Sequence, residues 1–242
     1  MRPPQKKTTR TRRGALLLAA LSALAGAPAS AAGDLQALLK PLSRAAPGLS
    51  REVLAKALTA ADCAVAQGIP RPARLAVIDY SLPSDRRRLW LFDLEKRRLL
   101  LHERVAHGRN SGDRWVERVS NEPGSLQTSV GLFRAAEPYR GRHGYALRLD
   151  GLEPGINDRA RERAIVIHGA PYVDPAWIAR YGRIGRSHGC PAVAQGVVRQ
   201  VVDALAGGQL VFSYYPDPAW LGASPFLHCR ERMAALHRSR EG

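Results

Sequence analysis

Ile165-Val166-Ile167-His168-Gly169-Ala170 and Gly185-Arg186-Ser187-His188-Gly189-Cys190-Pro191-Ala192-Val193 are the two ends of the stretch that decides how this chain is read. The first is an apolar run from Ala164 to Ile167. It has the length and β-branched content of a buried strand, and it delivers His168 at its end. The second is a glycine-rich turn that ends in Cys190. A thiol becomes a nucleophile as its thiolate, and a neighbouring imidazole makes that form accessible near neutral pH. A strand end holds the imidazole rigidly, and a glycine-rich turn lets backbone N–H groups approach a substrate carbonyl. Cys190 is therefore the candidate nucleophile and His168 the candidate base. Gly189 and Cys190 offer N–H groups to a carbonyl oxygen, and Ser187 and His188 shape the turn. Pro191 suits the first position of a turn or helix, which would set Cys190 at a positive helix end; a helix starting near Gln195 would contribute less.

Two other uses of these residues compete. Cys190 and His168 could be buried structural side chains. His168, His188 and Cys190 could ligate zinc, but the chain has no His-Glu-x-x-His and no paired Cys-x-x-Cys, and no metal is expected.

Working outward, Asp34 to Gly68 has helical spacing interrupted at Pro41 and Pro47-Gly48. Ser50 can cap a second helix, with Leu54, Leu58, Ala61 and Val65 on one face. Pro70 and Pro72 mark a boundary. Leu75–Tyr80, Arg88–Leu94 and Arg98–Val105 then read as strands, the last two joined at Glu95-Lys96-Arg97. Arg86-Arg87-Arg88 reads as a solvated loop. His107 to Asn121 is a polar loop, Ser129 to Arg134 a short strand, Tyr139 to Gly144 a loop, and Tyr145 to Leu149 a strand. Asp174-Pro175 opens a helix. Val197 to Leu205 is an amphipathic helix ended by Gly207-Gly208, and Leu210 to Tyr215 is a final buried strand.

Ser187-His188-Gly189-Cys190, preceded by His168-Gly169, resembles the signature of the L,D-transpeptidases of bacterial cell walls, the YkuD-type catalytic domain. The resemblance takes in Ile78-Asp79-Tyr80-Ser81, Ala106-His107-Gly108 with Ser111-Gly112, Ser120-Asn121, Gly124-Ser125, Tyr139-Arg140-Gly141, His143-Gly144 and Leu149-Asp150-Gly151-Leu152. It spans about residues 73 to 215. It implies an α+β fold, a β-rich mixed sheet or sandwich with a few peripheral helices, here with an N-terminal helical brace. It also implies a cysteine acyltransferase without cofactor, in which the Gly169 carbonyl orients the other ring nitrogen of His168. Cys190 would attack the third residue of a peptidoglycan stem peptide, release D-alanine and pass the acyl group to an amine, forming a 3→3 cross-link. Water as acceptor would make it an L,D-carboxypeptidase, and a vestigial cysteine would leave a non-catalytic wall-binding module. Arg183 and Arg186 flank the turn and could bind stem carboxylates bidentately. Two departures stand out. Pro191-Ala192-Val193 follows the cysteine where many relatives carry Arg or Asn, and the gap from His168 to Ser187 is longer than in the commoner members.

The 242 residues carry net charge +16; a basic face could meet nucleic acid or an acidic polymer such as a cell wall or membrane surface, and the plainer reading is a soluble basic protein. No nucleic-acid-binding motif accompanies the charge. Residues 1–32 read as an export signal. Arg2, Lys6, Lys7, Arg10, Arg12 and Arg13 precede an apolar Gly14–Ala27 too short to remain as a stable span, followed by Ala29-Ser30-Ala31. Thr11-Arg12-Arg13-Gly14 also resembles a twin-arginine signal, so the route stays open. The expected organisation is signal 1–32, brace 33–72, catalytic domain 73–215 and tail 216–242, in the periplasm or cell envelope. Oligomeric state is not legible. Three cysteines in an oxidising compartment leave one over. With Cys190 as the odd one, Cys63 and Cys229 either bridge or remain two buried unpaired thiols.

Overall fold

The structure, a computed structural model, describes residues 35–229. The predicted export signal and the basic end of the tail lie outside these. A short 3-10 turn, Leu35–Leu38, leads into α1, Leu39–Ala45, and Pro47-Gly48 separates this from α2, Arg51–Ala66. Val53, Leu54, Ala57, Leu58, Ala61 and Ala64 make the buried stripe of α2. Ser50 occupies the N-cap, but its side chain makes no capping bond. The acidic residue in the first turn, Glu52, pairs instead with Lys56 at 3.0 Å on the surface.

The β-strands are β1 Arg74–Asp79, β2 Leu89–Asp93, β3 Arg98–Glu103, β4 Gly131–Gly141, β5 Gly144–Gly151, β6 Val166–Ala170, β7 Ala192–Ala194 and β8 Leu210–Tyr214. They form one mixed sheet in the order β3-β2-β1-β8-β4-β5-β6-β7. Only β1 with β8 and β6 with β7 run parallel. The remaining helices are α3 Pro175–Tyr181, α4 Val198–Leu205 and α5 Pro218–Ala223.

Alternation along the central strands feeds two cores. Leu75, Val77, Trp90, Phe92, Leu132, Leu210 and Phe212 pack beneath α1 and α2. Ala76, Ile78, Leu89, Leu91, Phe133 and Val211 point the other way and meet Val198, Val201, Val202 and Leu205 of α4. Both faces are covered here, so β1, β2 and β8 are apolar on both sides. The first core stops at β4: among the described residues, none of its buried members comes from β5, β6 or β7. That uncovered end of the sheet face is where the functional residues emerge.

Three expectations need correction. Ser129 to Arg134 is not a short strand followed by a loop; β4 continues to Gly141 and turns directly into β5. Its outer half is exposed, so no apolar pattern marked it, and Pro138 is accommodated where the register shifts between Ala135 and Pro138. Arg88 is not part of a solvated loop but fully buried. Pro191 starts no helix: it leads into β7, and α4 begins only at Val198, so no helix dipole reaches Cys190.

Cys63 on α2 and Cys229 beyond α5 are joined by a disulfide, with Cα atoms 5.9 Å apart across 166 residues of chain. The bond ties the N-terminal helices to the end of the chain, beside Trp220 and Phe226 in the shared core. In the chain-entropy picture a loop of this length is worth about 5 kcal/mol before strain. Thiol titration of the unfolded, unreduced protein should therefore count one thiol, and Cys63→Ser with Cys229→Ser should lower unfolding stability by several kcal/mol. A count of three would remove this staple.

Candidate active site

The candidate base, His168, comes from the part of the sheet face that α1 and α2 do not cover. Tyr139 pairs with Ala146, Ala146 with His168 and His168 with Ala192 across four neighbouring strands, so all four side chains share one face. Alanine on both sides of His168 leaves room for its ring. Ile167 points into the α4 core and anchors the strand. His168 Nδ1 lies 3.0 Å from the Gly169 carbonyl. A carbonyl only accepts, so Nδ1 carries the proton and Nε2 keeps its lone pair. Burial pulls this imidazole below its ordinary value of 6.5, against the opposing effect of the Gly169 bond. His143, from the β4–β5 turn, stacks on His168 with ring centroids 4.5 Å apart. Sequence reading recorded His143-Gly144 as part of the resemblance but gave His143 no role, because hairpin closure alone brings it there.

The nucleophile turn is held from behind by the segment after β3. Ser187 N donates to the His107 carbonyl at 2.9 Å, Arg109 N to the Ser187 carbonyl at 2.8 Å, and Ala106 N to the Ala192 carbonyl at 2.8 Å. Within the turn, Ser187 Oγ donates to the Cys190 carbonyl at 2.6 Å and accepts from Gly189 N at 3.0 Å. Gly189 has φ of 122°, and a Cβ there would lie 2.8 Å from the Gln127 carbonyl oxygen, so only glycine fits. Cys190 is half-buried, with Sγ 3.5 Å from the Ala164 carbonyl. Burial pushes its thiol above the ordinary value of 9.0; the nearby backbone at Val166 and the charges of Arg163 and Arg142 oppose this without cancelling it. The expected pair of N–H donors is therefore modified. Gly189 N–H is already taken by Ser187, whereas Cys190 N–H has no hydrogen-bond acceptor among the described residues.

Behind this turn, Arg88 makes three hydrogen bonds to two carbonyls, Nε and Nη2 to Val105 and Nη1 to Leu82. Its Nη2 also lies 2.7 Å from His107 Nδ1, and its guanidinium sits 5.0 Å from the Tyr80 ring centroid. Burial, aided by the Arg88 charge, pushes His107 down to about 3, so this histidine is a neutral acceptor for Arg88. The buried cation thus fixes the segment that pairs with both sides of Cys190.

Cys190, His168, His188, Ser187 and Arg186 line one cavity of about 740 Å³, together with Tyr139, Arg142, His143, Arg163, Ala164, Val166 and Tyr172. Three arginines and no carboxylate face it. Arg163 is fixed by bonds to the Ser120 carbonyl, Ser125 Oγ and the Gln127 carbonyl. Nothing in the spacing of Arg159, Arg161 and Arg163 set the third apart beforehand. Arg186 is on the wall and donates to the Gly112 carbonyl at 2.9 Å. Arg183 is not on the wall: it pairs with Asp113 at 2.7 Å, bracing the 107–121 loop from outside. Among the described residues, no three His, Cys, Asp or Glu side chains are grouped to hold a metal ion.

A model of the L,D-transpeptidase catalytic domain matches residues 45–214. The chain belongs to this L,D-transpeptidase family. The match starts at the last residue of α1. Among solved structures, the chain is similar to an L,D-transpeptidase from Mycobacterium smegmatis, with 14% identity, 59% of each chain covered and a TM-score of 0.37. It is also similar to L,D-transpeptidase 3 from Mycobacterium tuberculosis in complex with a faropenem-derived adduct, with 18% identity, 60% of this chain and 61% of that one covered, and a TM-score of 0.34. The similarity spans about 59% of the length of the solved relatives named first. No curated protein matches the chain.

Both shifts favour a neutral pair in this family member, a protonated thiol beside an unprotonated imidazole. The thiolate of the free protein should form only above pH 9, and His168 should gain its second proton only below pH 6.5. The iodoacetamide alkylation rate at Cys190 should therefore be low at neutral pH and rise on the alkaline side of 9. A rate plateau between pH 6 and 8 would reveal a resting thiolate and overturn this assignment. Arg88→Leu should cost about 2–4 kcal/mol, because it leaves buried carbonyls of Val105 and Leu82 unpaired; denaturant unfolding would measure it.

Proposed function

We propose that the protein is an exported peptidoglycan L,D-transpeptidase in which Cys190 carries the acyl group and His168 moves the proton. The observation that carries this is the shared cavity: one thiol, one imidazole whose Nδ1 is held by the Gly169 carbonyl, and three arginines, of which Arg186 also pairs with Asp113 at 3.2 Å outside the lining. A stem peptide bears carboxylates, and guanidinium groups are their natural receptors. Arg186, Arg163 and Arg142 are the proposed substrate-binding cations; Arg183 acts indirectly by holding the loop.

In the proposed first step, Cys190 Sγ attacks the carbonyl carbon of the third stem residue while its proton passes to His168 Nε2. The Cys190 N–H donates to the developing oxyanion. Collapse breaks the amide bond, and the departing D-alanine amine takes the proton from His168. An acceptor amine then attacks the thioester, gives its proton to His168 and displaces the thiol, which recovers that proton. A side-chain amine of a second stem gives the 3→3 cross-link; water gives the L,D-carboxypeptidase product through the same intermediate. The residue 1–32 signal, the 33–72 brace, the 73–215 catalytic unit and the 216–242 tail remain the proposed organisation. Action on the cell wall implies an extracytoplasmic site. No helix among the described residues is long and apolar enough to cross a membrane.

Incubation with tetrapeptide muropeptides, followed by intact-protein and product mass analysis, tests this reading. Wild type should show an acyl adduct on Cys190 and either a cross-linked dimer or a tripeptide product. Cys190→Ala should show neither while remaining folded; ordinary turnover by that variant would sink the assignment. His168→Ala should lower kcat by about 10²–10⁴-fold, far more than His188→Ala. A larger loss in the His188 variant would reassign the base.

A further inference from the structure

The arm between β6 and the nucleophile turn carries a feature the chemistry above does not use. Helix α3 buries none of its side chains. Three large hydrophobic side chains are exposed among the described residues, and two of them, Trp177 and Tyr181, are neighbours on α3, at 37% and 48% exposure. Their ring centroids are 5.1 Å apart, and Trp177 in turn meets Tyr172 edge-on at 6.3 Å. Tyr172 lines the cavity that holds Cys190. A line of aromatic rings therefore runs outward from the cavity wall along α3.

The arm is built to hold these rings without covering them. Asp174 caps α3 by accepting from Ala176 N at 2.7 Å, Pro175 opens it, and Gly182 closes it in the left-handed region. At its base Gly185 N donates to the Tyr172 carbonyl at 2.8 Å. A Cβ at Gly185 would stand 2.4 Å from Tyr172 Cβ, so glycine is what lets Tyr172 lie against the returning chain. Exposed aromatic rings held by a well-made element mark a contact surface. Such rings cost little side-chain entropy to immobilise and present a flat apolar face.

We propose that Trp177 and Tyr181, continuing from Tyr172, form a sugar-binding subsite for the glycan strand that carries the stem peptide. This rests on the peptidoglycan reading. A pyranose ring offers an apolar C–H face of the size of one aromatic ring, with hydroxyls at its edge. With the third stem residue at Cys190, the sugar lies beyond three residues of stem and the linker that joins the stem to it, within roughly 15 Å of extended chain. The occupant must therefore leave the cavity close to where it acts, and the aromatic line is continuous with the cavity wall. Arg180, 5.1 Å from the Tyr181 ring centroid, adds a donor beside the outer ring.

The test compares two donors in the same assay, a free tetrapeptide and the same tetrapeptide on its amino-sugar disaccharide. In the Trp177→Ala/Tyr181→Ala double variant, the ratio of kcat/KM for the glycosylated donor to that for the free peptide should fall about five- to tenfold from the wild-type ratio. An unchanged ratio overturns the proposal, including the case where both rates fall together because the rings hold peptide. A second readout does not depend on turnover: Cys190→Ala protein titrated with peptide-free amino-sugar oligosaccharide, followed by tryptophan emission. Saturable change that is lost in Cys190→Ala/Trp177→Ala is expected, and no binding overturns the subsite. If wild type consumes neither donor, the peptidoglycan reading fails by itself, and the titration alone then decides whether the rings take sugar.

Discussion

Arg88 is fully buried and directs its guanidinium at two backbone carbonyls and a neutral imidazole, with no ion pair to a carboxylate among the described residues. Taking such a cation out of water costs several kcal/mol and is repaid only when its donors find partners in good geometry. That requirement fixes Val105, Leu82 and His107 relative to one another. The segment Ala106 to Arg109 then has a single position, and it pairs with Ser187 before the nucleophile and Ala192 after it. The location of Cys190 thus follows from a charge buried on the far side of the turn. Ser187 completes the constraint by closing the turn on itself.

The sheet contributes the other half of the site through what it leaves uncovered. The packing of α1 and α2 ends at β4; beyond it one face is buried against α4, and on the other Ala170 and Ala192 pack with Ala106, Val173 and Ile184 beside the cavity. His168 is itself only 3% exposed, so it is held rigidly where it lines the cavity. The disulfide between Cys63 and Cys229 pins α2, which packs on β1, β8 and β4, so the stapled cover and the cavity occupy different regions of one sheet.

How much of this was legible depended on whether a signal was local. The strand carrying His168, the Asp174-Pro175 cap and the amphipathic α4 announced themselves by periodicity and turn chemistry, whereas the α+β class came from the family resemblance. The motif residues were visible because a cysteine, a histidine and clustered glycines occur together within a short span. Long-range geometry was not visible. Arg88 looked like its two solvated neighbours, since nothing local distinguishes a guanidinium that meets carbonyls from one that meets water. The outer half of β4 had no apolar alternation, because both its faces reach solvent. His143 and Arg163 enter the cavity only once β4, β5 and the 120–129 segment are assembled. Arg183 and Arg186 both flank the turn in sequence and both pair with Asp113; only the course of the turn brings Arg186 to the cavity wall as well.

The resting state of the candidate pair follows from the same burial that makes the site precise. A thiolate and imidazolium would have to be sustained in partly desolvated surroundings, and β7 in place of a helix removes the dipole that would have favoured the thiolate. Two neutral groups avoid that cost. In the proposed reaction, charge appears only when an acyl carbonyl enters, at which point the oxyanion meets the Cys190 N–H and the new imidazolium keeps its bond to Gly169. The arginines act in the same direction, since each lowers the cost of negative charge at Cys190 or on the substrate. In the proposed extracytoplasmic setting, a thiol kept protonated at rest is also less open to oxidation, because thiolate character sets that susceptibility. On that proposal, desolvation holds back the thiolate and the arginine-lined cavity receives the carboxylates of the acyl donor.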